Sequence, residues 1–148
     1  MTRIAVAACL LAVASVGNAQ TITTPQSIKW GAAPAALPAG ARAAVLDGDP
    51  TKDGPFTLRL MFPPGYRIPP HFHPADEHVT VISGNLHVGM GDHFDRKKAT
   101  TLHAGTFGVI PAGMHHYASS PGRTIIQLHG TGPWKLTYVN PADAPKPH

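Results

Sequence analysis

Apolar and polar residues alternate with period two through much of this chain. Phe56, Leu58, Leu60 and Phe62 fall on one row and Thr57, Arg59 and Met61 on the other, which is the pattern of a strand with one buried face. Runs of similar character recur at residues 79–83, 86–90, 107–110, 124–129 and 135–139. Turn-forming residues separate them: Ser83, Gly84 and Asn85; Gly91 and Asp92; Pro111, Ala112 and Gly113; Ser120, Pro121 and Gly122. Outside residues 4–16 no window of a dozen residues carries a helical period, and 15 glycines and 16 prolines weigh against helices as well. Many short strands with frequent turns predict an all-β fold, a small antiparallel barrel or sandwich.

The two ends have a different composition. Residues 1–19 have the features of an export signal: Arg3, then an apolar run over 4–16 too short to span a bilayer, then Gly17, Asn18 and Ala19 at the cleavage positions. Cleavage after Ala19 is expected, which makes the chain periplasmic or secreted. The only cysteine, Cys9, lies in this segment, so the mature chain is expected to use neither disulfide nor thiolate chemistry. Residues 20–44 are rich in alanine and proline, and Pro25, Pro34 and Pro38 exclude a continuous helix. An arm, partly extended and pinned by Trp30, is expected there. The strand pattern occupies 45–140, and the three prolines of the tail, 141–148, predict an extended and mobile end.

Charge narrows the partners. A net charge of +4, with Arg96, Lys97 and Lys98 as the one basic cluster, is too diffuse to argue for nucleic acid. No stretch after residue 19 is apolar enough to cross a membrane. The ten histidines are more informative, because all of them follow the signal segment and imidazole is the commonest metal ligand.

His71 and His73 are two apart, so on a strand both imidazoles leave the same face about 6.5–7 Å apart along the chain. Glu77 follows. If the next strand runs in phase, Glu77 heads an inward row with Val79 and Val81; one residue out of phase, the row is His78, Thr80 and Ile82. A buried lone carboxylate is costly unless it is paired or bound to a cation. His116, beside His115, comes from a distant segment. Three nitrogens and one oxygen form a borderline ligand set for one divalent transition metal ion: Mn, Fe, Co, Ni, Cu or Zn.

These two segments resemble the paired signature motifs of the cupin superfamily. The first motif is matched by Gly65, His71, His73, Glu77 and Gly84, and the second by Gly105, Pro111, Gly113 and His116, with Ser120 where the family prefers asparagine. The resemblance covers roughly residues 45–140. It implies a cupin-type double-stranded β-helix, a jelly-roll barrel open at one end. It also implies a metal held by His71, His73, Glu77 and His116, with His78 and His115 outside the ligand set, and a homodimer.

The pocket's other residues are less well defined. If the row Ile125, Gln127 and His129 faces inward, Gln127 and His129 line the cavity and serve substrate binding or acid–base chemistry. If Ile126 and Leu128 face inward, both polar groups lie outside. Tyr117, next to His116, is a third candidate for a catalytic role. Phe72, Met90, Phe107 and Trp134 are expected in the core. The resemblance implies a metal-dependent enzyme acting on a small molecule, by dioxygenase, decarboxylase, isomerase or lyase chemistry. The alternative is a non-catalytic cupin that binds a small molecule or a metal.

Overall fold

A computed structural model describes residues 20–146 of the chain. The expected export signal, 1–19, lies outside the described residues. Among those described, the strands are β1 (Gly31–Ala32), β2 (Arg42–Gly48), β3 (Gly54–Phe62), β4 (Tyr66–Phe72), β5 (Glu77–Ser83), β6 (Asn85–Met90), β7 (Thr100–His103), β8 (Phe107–Ile110), β9 (His116–Ser120), β10 (Thr124–Gly132) and β11 (Thr137–Tyr138). A 3₁₀ turn, Pro141–Asp143, follows them. None of the described helices is long and apolar enough to cross a membrane.

The strands form two antiparallel sheets. One has the order β1-β2-β3-β10-β5-β8 and the other β11-β4-β9-β6-β7. Their facing rows make one apolar interior. Leu58, Leu60 and Phe62 are each 1 % exposed, and Val79, Val81, Ile126 and Leu128 extend the same wall. Ile68, Leu86, Val88 and Ala118 face them from the other sheet. Each of these side chains larger than alanine stabilises the fold by about 1.5–3 kcal/mol relative to exposure. This arrangement is a jelly roll.

Pairing fixes which row of β10 points inward. Opposed residues in an antiparallel pair share a face. Leu128 lies opposite Leu58 and Ile126 opposite Leu60, so both join the core, and Gln127 and His129 are turned to the outer surface.

Strand β4 keeps its ligands in phase by an irregularity. Ile68 faces Ala118 and His71 faces His116, but the register slips between them, at Pro69 and Pro70. Prolines have no N–H to give a ladder, so the ladder yields there. The slip lets Tyr66, Ile68 and His71 all face inward although Ile68 and His71 are an odd number of residues apart.

Four expectations are corrected. Leu37, at 4 % exposure, anchors the arm rather than Trp30, and Tyr66 and Tyr138 donate hydrogen bonds to the Pro38 and Ala36 carbonyls on either side of it. The start of the tail is not extended but turned, with Asn140 Oδ1 accepting from the Ala142 N–H. Met90 and Phe107 are not core residues; each is 55 % exposed. The strand expected at 135–139 shortens to Thr137–Tyr138, because the chain before it is diverted across the end of the barrel.

Candidate metal centre

The barrel brings His71, His73 and His116 together: their candidate ligand atoms all lie within 4.8 Å of one another. The three are 3 %, 4 % and 2 % exposed. His71 comes from β4, His116 from the start of β9 opposite it, and His73 from just beyond β4. Their ring centroids stand 4.1–5.2 Å apart.

Each ring is oriented by the main chain. His71 Nδ1 lies 2.6 Å from the Pro69 carbonyl, His73 Nδ1 2.6 Å from that of Lys135, and His116 Nδ1 3.0 Å from that of Met114. A carbonyl can only accept, so these partners assign the ring proton to Nδ1 and leave each Nε2 with a lone pair. The Nε2 of His73 is buried and has no hydrogen-bond partner. Orphaned buried nitrogens of this kind are uncommon and ask for an occupant. Carbonyl-held Nδ1–H with a free Nε2 is the usual second-contact arrangement of metal-binding histidine. The residues present therefore fit a metal ion.

Glu77 completes the group. It shares the inward row with Val79 and Val81, while His78 faces out and stacks on His129 at 5.0 Å. Glu77 Oε1 is 3.4 Å from His73 Nε2 and Oε2 is 3.7 Å from His116 Nε2. Burial alone would raise its carboxyl pKa. When the neighbouring imidazoles carry protons, a hydrogen bond from His116 and then the charge of His73, His116 and His71 outweigh burial and lower it below 4.5. The ionised carboxylate is thus favoured wherever a proton or a cation occupies the space between it and the imidazoles. Burial, then repulsion by His116, pushes the His71 pKa down from 6.5 to about 3, which keeps this ring neutral and able to bind metal.

The remaining walls are apolar. Ile68, Val79, Leu86, Val88, Ile126 and Leu128 line a cavity of about 30 Å³ beside the histidines. That is room for roughly two water-sized groups. Leu37, Trp134 and Leu136 also border it.

The three residues expected to handle protons are elsewhere. Gln127 accepts a hydrogen bond from Arg59 Nε at 3.0 Å on the outer face of β10 and β3. His129 forms a three-ring cluster with His78 and Phe107 on that same face, their centroids 5.0–6.2 Å apart. Tyr117 is buried beneath residues 91–98 on the outside of the other sheet, with its hydroxyl donated to the Asp95 carbonyl at 2.8 Å. Alternation explains this, since His116 and Ala118 take the inward positions on β9. His115 pairs with Asp92 at 2.6 Å and stacks on Phe72, also outside. The sequence reading missed Trp134 and Leu37 as neighbours of the cluster. The Gly132-Pro133 step before a lone tryptophan was the available signal for the first; nothing in the pattern marked the second.

Two facing antiparallel sheets with a histidine cluster inside define a member of the cupin superfamily. Within it, the chain belongs to the family described as a domain of unknown function (DUF4437), whose model matches residues 20–144. A germin-like protein of Arabidopsis thaliana (subfamily 1 member 7) is 35 % identical over 92 residues, which cover 59 % of this chain and 40 % of that protein. The rhicadhesin receptor of Pisum sativum is 36 % identical over 91 residues, covering 55 % and 42 %. The chain thus spans less than half the length of these relatives. Among solved structures, the polyketide cyclase RemF from Streptomyces resistomycificus superposes with a TM-score of 0.71 at 15 % identity, over 86 % of this chain and 90 % of that one. A putative acetylacetone dioxygenase from Methylibium petroleiphilum PM1 gives 0.64 at 20 % identity, over 91 % of each. At such identities these likenesses show the fold alone.

Proposed function

We propose that the protein is a metal-dependent cupin enzyme in which His71, His73, His116 and Glu77 hold one divalent transition metal ion and act on a small molecule. One observation carries this reading: three buried imidazoles have their Nδ1 atoms tied to carbonyls and their Nε2 atoms free, with that of His73 lacking any partner. A bound ion would supply Lewis acidity, and with a redox-active metal also access to dioxygen chemistry. The chain itself would supply ionised Glu77 as the proton acceptor nearest the cluster, and an apolar wall that excludes water. With Gln127, His129 and Tyr117 outside the barrel, Glu77 is the one carboxylate available for proton transfer among the described cavity residues. The substrate must be small, or must displace Leu37 or Trp134 to enter. Export to the periplasm or beyond, and a homodimeric state, belong to the same proposal and follow from the leader-like segment and the resemblance.

A second reading is favoured by the size of the cavity. About 30 Å³ of apolar-walled space suits a non-catalytic binder of a metal or a very small ligand. Elemental analysis followed by dioxygen-uptake assays on phenols, diketones and small acids separates the two. Close to one transition metal per chain is expected, with most of it lost in His73→Ala. Full occupancy in that variant would overturn the ligand assignment, and metal without turnover of any substrate would favour the binder.

A further inference from the structure

Trp134 lies in a short crossing segment, residues 133–136, that leaves the first sheet after β10 and reaches the second sheet at β11. Its backbone N–H is held by the Pro50 carbonyl at 2.7 Å, which fixes where the indole can reach. The ring stacks on His73 with centroids 5.5 Å apart and planes 28° from parallel. The indole Nε1–H is directed at Glu77 Oε1, 3.4 Å away. One residue on, the Lys135 carbonyl accepts the Nδ1–H of His73. Two of the four proposed ligands are therefore held by two consecutive residues of one segment.

The indole has a special place among the donors. With the Nδ1 protons of His73 and His116 given to carbonyls, their Nε2 atoms face Glu77 as acceptors, lone pair against lone pair. Neither neutral ring can donate to the carboxylate. The indole N–H is the donor that remains when no cation is bound, and a buried carboxylate without one would be expensive.

On the reading that this cluster is a metal centre, we propose that Trp134 is a positioning residue for it. The indole N–H sets the orientation of the Glu77 carboxylate, and the ring face sets the plane of His73. Because the indole lies against one ligand and bonds to another, its emission also reports loading.

Metal-free protein titrated with cobalt(II), followed by visible absorption and tryptophan fluorescence, tests this. Trp30, half-exposed in the arm, is removed by Trp30→Phe so that Trp134 alone is read. In that background cobalt should quench the emission in step with the appearance of the visible bands. Trp134→Phe keeps the ring and deletes the N–H. It should weaken cobalt binding about 10-fold, in the range usual for groups that orient ligands, and move the visible bands. Trp134→Leu should weaken it further. Unchanged affinity and bands in Trp134→Phe, with the wild type binding normally, overturns the positioning role alone. A wild type that takes up no cobalt overturns the metal centre and this proposal together. Should the tryptophan variants fail to fold, nitrogen-15 NMR of the metal-free protein decides. Glu77→Gln should move one of the two indole N–H resonances, and two unmoved resonances would overturn the contact.

Discussion

His71 shows how one residue ties the site to stability. Its imidazole is buried against His116 and His73, and its pKa falls to about 3 while the unfolded chain titrates near 6.5. Between those values the unfolded state binds a proton that the folded state refuses, so stability is complete above about pH 6.5 and declines as pH falls towards 3. For metal-free protein the loss should be on the order of a few kcal/mol across that window, read by denaturant unfolding at a series of pH values. His71→Gln should flatten the slope. A stability independent of pH over the same range would show that His71 is not held neutral. Glu77, lowered below 4.5, acts in the same direction at the acid end.

Among the elements, strands β6 and β9 pack a tyrosine ring directly over a glycine. Gly89 lies opposite Tyr117, and a Cβ placed on Gly89 would fall 2.1 Å from the tyrosine ring. The ring cannot retreat, because Phe94 covers it at 5.0 Å and its hydroxyl is bonded to Asp95. Gly89→Ala should therefore cost about 1–3 kcal/mol, and the adjacent His116 should be disturbed with it; thermal unfolding and cobalt affinity both report this. Leu58→Ala, in the core, should cost about 2–5 kcal/mol in the same unfolding assay with little effect on metal affinity. Strand β3 was legible from its sequence because only one of its rows is apolar. Strand β10 was not, since Ile125 and Ile126 put apolar groups on both rows; only the pairing with Leu58 and Leu60 decides the phase, and pairing is a property of two segments. The four proposed ligands were legible through the resemblance to the paired motifs; the residues alone left Glu77 and His78 as alternatives, and His116 comes from a distant segment. Trp134 was expected only in the core, because it lies between strands, where no alternation sets its facing, and what it touches depends on where the crossing segment leads.

Across the whole molecule, core and histidine cluster are adjacent but separable. The apolar wall formed by Leu58, Leu60, Phe62, Val81 and Leu128 uses none of the proposed ligands, so the barrel is expected to fold without an ion. Removal of metal by a chelator should leave the β-sheet circular dichroism intact and a single cooperative transition. The midpoint should drop by several degrees, because an ion that binds only the native state stabilises it by mass action. Loss of the β spectrum on chelation would make the metal a structural staple. The crossing segment adds an order of assembly. His71, His73 and His116 all precede the residue whose carbonyl fixes His73, Lys135, which lies 62 positions beyond that histidine. A chain emerging from its N-terminus thus carries every proposed ligand well before the last of them can be oriented. The proposed centre is complete only once the crossing segment has docked, so a chain cut short before residue 135 should present the histidines without the carbonyl that orients His73.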